Sequence, residues 1–183
     1  LREFDALEEQ LEEIEARLQK IASHGVPNYF GEQRFGHDCG NLHQAQELIE
    51  RDQLKGNRRG TGMILSAARS WLYNLVLAER IQCDNWSAPM EYEPQPCAPL
   101  WGRGRSAAGG DLQQLEQGIL KDWQSWCYAL EHAGLKQERR ATVLVPSALQ
   151  WKCLGADQLE LSFGLAAGGY ATVVLREIAE LFR

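Results

Sequence analysis

Residues 63–81 carry apolar side chains at Met63, Ile64, Leu65, Ala67, Ala68, Trp71, Leu72, Leu75, Val76, Leu77 and Ile81. At helical spacing these cover most of the circumference, so a helix here must be enclosed by other elements. This predicts a domain built around one central helix. Arg69 and Asn74 are its polar exceptions. A guanidinium in such a setting must be paired or must face a cleft.

Other segments read less uniformly. Residues 5–23 form an amphipathic pattern, with Leu7, Leu11, Ile14, Leu18 and Ile21 at spacings of three and four. Asp5 with Glu8 makes a capping-box pair, and His24-Gly25 followed by Pro27 ends the helix. Asn41 is placed to cap a helix to about Arg51. Residues 84–110, with Pro89, Pro94, Pro96 and Pro99, predict irregular chain. Asp111 opens a predicted helix to about Ala133, ended by Gly134. Thr142–Val145 is strand-like, and 149–154 and 158–163 alternate with period two around Gly155-Ala156-Asp157, a predicted hairpin. A last helix is predicted from Val173 to Phe182.

The chain has 183 residues and a net charge of −6. That charge is unevenly placed. Residues 1–20 hold seven acids against three bases, and the remainder is nearly neutral, with cations grouped at Lys55/Arg58/Arg59, Arg103/Arg105 and Arg139/Arg140. Local patches, not the total, attract phosphate within a Debye length of about 10 Å. Five cysteines without a CxxC spacing suit reduced thiols in a cytosol better than disulfides or zinc. No stretch approaches the roughly 18 apolar residues of a membrane helix.

Three short segments carry candidate chemistry. Pro27-Asn28-Tyr29-Phe30-Gly31-Glu32-Gln33-Arg34-Phe35-Gly36 sets Asn, Gln and Arg between aromatic-glycine pairs. It is either a surface for flat rings and phosphates or a loop anchored by its aromatics. Trp101-Gly102-Arg103-Gly104-Arg105 either wraps a phosphate beside an indole or plugs Trp101 inward and leaves its arginines solvated. Gly168-Gly169-Tyr170 either presents a ring to a flat ligand or packs it. No Ser/His/Asp order, HExxH motif or Walker loop occurs, and Cys127 lies in an apolar helix.

The ordered motifs resemble one family. They are Val26-Pro-Asn-Tyr-Phe-Gly-Glu-Gln-Arg-Phe-Gly36, Gly40-Asn41-Leu42, Ile64-Leu-Ser-Ala-Ala-Arg-Ser70 and Ala78-Glu-Arg80, then Ala98-Pro-Leu-Trp-Gly-Arg-Gly104, Gln137-Glu-Arg-Arg140 and Ala167-Gly-Gly-Tyr-Ala-Thr-Val-Val-Leu-Arg-Glu177. Their order resembles the TruD-type transfer-RNA pseudouridine synthases. The resemblance implies an isomerase that turns uridine, at position 13 of bacterial transfer RNA, into pseudouridine. It implies base flipping, an aspartate that attacks the nucleoside, an aromatic ring stacked on the flipped base, and no metal or organic cofactor. The implied fold is α+β: a mixed, mainly antiparallel catalytic sheet interrupted by a mainly helical insertion domain. Residues 1–24 then correspond to a helix leading out of the catalytic domain, 25–145 to the insertion domain, and 146–183 to returning strands and helix. Tyr170 matches the base-stacking position. Asn28, Tyr29, Phe30, Arg34, Arg69, Trp101, Arg103 and Arg105 are the expected RNA-contacting or cleft-lining residues. The expected partner is transfer RNA, with no metal and no membrane, for a cytoplasmic enzyme that is monomeric when intact.

The chain also departs from the family pattern. The motif of the catalytic aspartate, a Gly-x-Lys-Asp-(Lys/Arg)-type stretch, is not among these residues, and neither is the Asn-x-Phe element. The expectation is a C-terminal half, inactive alone, whose nucleophile lies upstream of Leu1; none of Asp5, Asp38, Asp52, Asp84, Asp111, Asp122 and Asp157 inherits the role. The excursion at 84–97 is short for the family, and Ala166 and Gly169 replace its usual Pro and Ser. A non-catalytic RNA-binding module descended from such an enzyme is the rival expectation.

Overall fold

The computed structural model describes residues 2–54, 60–155 and 158–178, with side chains in the first helix from residue 12 onward. The chain divides into two compact units, one made of residues 1–28 with 143–183 and the other of residues 29–142.

The first unit begins with helix α1, Arg2–His24. Leu18 and Ile21 bury its apolar stripe. Gly25, at φ +75°, stops the helix with its amide on the Ile21 carbonyl (2.9 Å); a Cβ there would lie 2.7 Å from the Leu144 carbonyl oxygen. Strand β1 (Val26–Pro27) is therefore set close against β4 (Val143–Leu144), antiparallel with Val26 opposite Leu144. Strands β5 (Ser147–Gly155) and β6 (Gln158–Gly164) form the expected hairpin, with Trp151 opposite Leu161 and Cys153 opposite Leu159. Helix α6, Ala171–Arg176, buries Val173 and Val174, and Ile178 just beyond it receives Arg17 Nη1 on its carbonyl (3.3 Å).

The second unit surrounds α3, Gly62–Gln82, as the periodicity requires. Ala67, Ala68, Leu72, Tyr73, Val76 and Leu77 are completely buried. Around it pack α2 (Gly40–Glu50), α4 (Gly110–Leu120), α5 (Gln124–His132) and the ribbon of β2 (Cys97–Leu100) and β3 (Glu138–Ala141). Trp71, Trp123 and Trp126 meet edge to face at 5.8 and 5.1 Å, and Phe35 adds to Trp71 at 6.1 Å.

Several expectations need correction. Residues 97–100 are a strand inside the supposedly irregular stretch. Pro99 is tolerated because a two-stranded ribbon has only edge strands. Asn41 does not cap α2. The capping position is Cys39 in the left-handed region, while Asn41 gives its side-chain amide to the Arg34 carbonyl (3.2 Å). The helix from Asp111 is interrupted by a tighter turn at Lys121–Trp123, where Gln124 Nε2 bonds the Leu120 carbonyl (3.1 Å). Asp111 sits in the first turn of α4, not at its cap, which is Gly109. Lys55, Arg58 and Arg59, the Ala156-Asp157 turn, the side chains of the Asp5/Glu8 pair and the end of the last predicted helix lie outside the described residues.

Candidate nucleic-acid interface

The aromatic loop is clamped to α3. Phe30 gives its amide to Asn74 Oδ1 and takes Asn74 Nδ2 on its carbonyl, each at 3.0 Å. Its ring meets Tyr73 edge-on at 5.3 Å, and the Arg140 guanidinium lies over its face at 4.1 Å, with Arg34 at 5.3 Å. Phe30 and Phe35 are only 8% and 7% exposed, so these rings anchor the loop. Asn28 is also buried, while Tyr29 and Arg34 are half-buried. Arg34 Nη1 bonds Ser66 Oγ at 3.0 Å. Asn74, one polar exception of the core helix, is thus explained by a backbone it must satisfy. Burial raises the Tyr73 hydroxyl well above its usual range, against nearby Arg140, and that hydroxyl donates to the Ala141 carbonyl at 2.7 Å.

Arg69, the other exception, braces two loops. Its Nη2 donates to the carbonyl oxygens of Leu100 and Lys136, both at 2.8 Å, and to Glu138 Oε2 at 3.3 Å. Burial lowers its hold on its proton and Glu138 partly restores it. Leu100 opens the Trp101–Arg105 loop, and Lys136 lies in the turn after α5. The two loops are stitched together by Arg103 N to Leu135 O (2.6 Å), Gln137 N to Arg103 O (2.9 Å) and Gly102 N to Gln137 Oε1 (2.6 Å). Gly102 is obligatory at this crossing, since a Cβ would sit 2.5 Å from the Lys136 carbonyl oxygen. Trp101 is half-buried, its indole nitrogen held by Glu131 at 3.0 Å. Arg103 and Arg105 are exposed, as is Lys136. These three cations line a cavity of about 540 Å³ with Gly104, Gly134, Leu135 and Gln137, and among the described residues no acid lines it.

Sequence reasoning missed Lys136. Its available signal was a lysine two residues after the helix-ending Gly134. Arg80 stood in the Ala78-Glu-Arg80 motif with no role assigned to it. It is completely buried, with Nη1 on Glu93 Oε1 and on the Cys97 carbonyl, both at 2.8 Å, and Nη2 on the carbonyls of Asn85 (2.7 Å) and Ala88 (3.0 Å). Arg139 reaches the same Glu93 oxygen at 3.3 Å and forks onto Glu116 at 2.6 and 3.2 Å. Burial alone would raise the Glu93 carboxyl. Hydrogen bonds from Arg80 and the amides of Met90 and Cys97 outweigh it and hold the group below the usual carboxylate range. Burial works against Arg139's charge too, and Glu116 overcomes it, keeping the guanidinium protonated. Burial raises the Glu116 carboxyl in spite of Arg139, and both carboxylates are engaged by arginines inside the fold. They pin the proline-rich excursion to the ribbon.

In the first unit, Tyr170 stands at the entry of α6 with extended backbone and is half-buried. Gly168 turns the chain at φ +86°, and the Gly169 amide bonds the Ala166 carbonyl at 2.9 Å. A Cβ on Gly169 would lie 3.2 Å from both that oxygen and Leu144 Cδ1, so glycine allows a close approach here. All five cysteines are free; Cys97 and Cys127 are buried. Among the described residues, no three His, Cys, Asp or Glu side chains gather as a metal site, and no helix is long and apolar enough to cross a membrane.

Comparison with known proteins bears on these loops. A family model described as tRNA pseudouridine synthase D (TruD) matches residues 1–57. The tRNA pseudouridine synthase D of Cellvibrio japonicus is 46% identical over 167 residues, 90% of this chain and 50% of that protein. The protein of the same name from Hydrogenovibrio crunogenus is 37% identical over 99% of this chain and 59% of its own length. A crystal structure from Methanosarcina mazei, titled as a tRNA pseudouridine synthase D, superposes with a TM-score of 0.65 at 17% identity, covering 94% of this chain and 65% of that one. The likeness shows a shared α+β fold. The chain spans about half the length of the curated relatives it matches. The relationship that the motifs implied is the one the comparisons return.

Proposed function

We propose that the protein carrying these residues is a TruD-type tRNA pseudouridine synthase, an isomerase that acts on uridine 13 of transfer RNA. The observation that carries this is 46% identity with such an enzyme over nine-tenths of the chain. In this reading the insertion domain, expected over residues 25–145, corresponds to the compact unit of residues 29–142. The flanking unit belongs to the catalytic domain. The hairpin β5–β6 suits that role, because one of its faces is apolar with Trp151, Leu159, Leu161 and Phe163, and a strand edge can be extended by further strands.

The chemistry divides accordingly. The base leaves its stack, at a cost of a few kcal/mol. The Tyr170 ring, set at the α6 entry by Gly168 and Gly169, takes one face of the uracil and recovers part of that cost. A carboxylate from outside these 183 residues attacks the nucleoside, the glycosidic bond to N1 breaks, C5 of the uracil then bonds to the sugar and displaces the carboxylate, and C5 gives up a proton while N1 gains one. Net composition is unchanged, so no cofactor is consumed. Incubating the intact gene product with transfer RNA labelled with tritium at uridine C5 tests this. Tritium is released to water if the reading holds. RNA binding without any release contradicts it and favours a non-catalytic RNA-binding module.

A further inference from the structure

We propose that Arg103, Arg105 and Lys136 form a single preorganised seat for the phosphodiester backbone of RNA; this rests on the RNA reading above and specifies which part of the RNA is held, and by what. Three observations carry it. First, the three side chains line one cavity of about 540 Å³ with no acid among the described residues of its wall, in a chain whose net charge is −6. Like charges gathered around one cavity repel, and an anion relieves the repulsion. Second, among the described residues none of the three makes an ion pair or a side-chain hydrogen bond. Neighbouring acids are engaged elsewhere, Glu138 by Arg69 and Glu131 by the Trp101 indole.

Third, the backbone beneath the cations is fixed before any ligand arrives. Arg69 ties both loops to α3, the Arg103–Lys136 bridge joins them, and Gly102 lets them cross at a distance no Cβ would allow. Gly104 at φ +137° and Gly134 at φ +85° complete the two turns. The chemistry points to phosphate and not to a base. Among the described residues no aromatic ring lines the cavity, which leaves only guanidinium planes to stack on, and arginine and lysine donors suit phosphate oxygens. The contact is therefore independent of base sequence. Arg69 acts here as a positioning residue.

The test compares the protein with its Arg103→Gln/Arg105→Gln/Lys136→Gln variant, binding unmodified transfer RNA between about 50 and 200 mM salt. The variant should keep the parent's near-ultraviolet dichroism and melting temperature, since all three residues are exposed. Its slope of log affinity against log salt should fall by about 0.7–0.9 for each contact removed. Lys121→Gln, exposed on the turn after α4, should leave the slope unchanged. A second measurement titrates inorganic phosphate into each protein and follows amide resonances of Gly104, Gly134 and Gln137. They should shift in the parent and not in the variant. An unaltered salt slope in the triple variant overturns the proposal. If the parent shows the phosphate shifts but binds no transfer RNA, the seat stands as an oxyanion site, and the RNA reading of the protein falls.

Discussion

Arg69 and Lys136, 67 residues apart in the chain, meet through a 2.8 Å hydrogen bond from the guanidinium to the lysine carbonyl. The same nitrogen holds Leu100 at the same distance. One side chain of the central helix thereby sets the spacing of two loops that carry the exposed cations. Removing it in Arg69→Ala leaves two carbonyls without their donor, at a cost of about 1–3 kcal/mol. Arg69→Lys should restore part of that, because an ammonium keeps the charge but not the forked reach. Chemical denaturation of the three proteins measures this, and identical midpoints would contradict the brace.

Two glycines make an internal comparison. Gly102→Ala would drive a methyl to 2.5 Å from the Lys136 carbonyl oxygen, so the loops must part. The expected loss is on the order of 2 kcal/mol or more. Gly118, in α4 with nothing within 4 Å of its added Cβ, should gain about 0.5–1 kcal/mol as alanine. Thermal melts of both variants read the opposite signs directly.

The carboxyl of Glu93 titrates below the usual range in the folded protein. The unfolded chain therefore binds its proton more tightly. The stabilisation is complete above the ordinary carboxylate value of 4.5 and is lost as pH falls through the folded one. Glu93→Gln should cost about 3 kcal/mol at neutral pH, since the fully buried Arg80 loses its counter-charge while Arg139 keeps Glu116. The difference in stability between parent and variant should shrink on acidification below about pH 4.5. A difference that stays constant with pH would contradict the assignment.

Thiol reactivity should follow burial. Burial pushes the Cys127 thiol up to about 12 and also raises Cys97. Cys39 and Cys153, both exposed, should alkylate in the native protein. Cys83 should follow more slowly, because partial desolvation and the Glu79 carboxylate raise its thiol. Cys97 and Cys127 should label only after unfolding. Peptide mapping by mass spectrometry reads this order, and early labelling of Cys127 would contradict the packing.

The central helix was legible because its pattern is local, and eleven apolar positions at helical spacing permit few alternatives. The hairpin was legible for the same reason, with period two on both sides of a turn. Strand β2 was not, because Pro99 signals a loop locally and only the β3 partner about forty residues away overrides it. Arg80 was hidden because a lone arginine late in a helix looks solvated; its acceptors belong to the excursion beyond the helix end. In the site, Arg103 and Arg105 were visible as neighbours on a glycine loop. Lys136 was not, because the two loops become adjacent only once Gly102 lets them cross.

The most direct test of the whole account is to map pseudouridine at single-nucleotide resolution in transfer RNA from cells that lack the gene. The account predicts loss of the modification at position 13 alone and restoration by the intact gene. A Tyr170→Ala copy should restore it with turnover reduced by the roughly 1–3 kcal/mol of one stacked base. An unchanged transfer-RNA map in the deletion strain would contradict it.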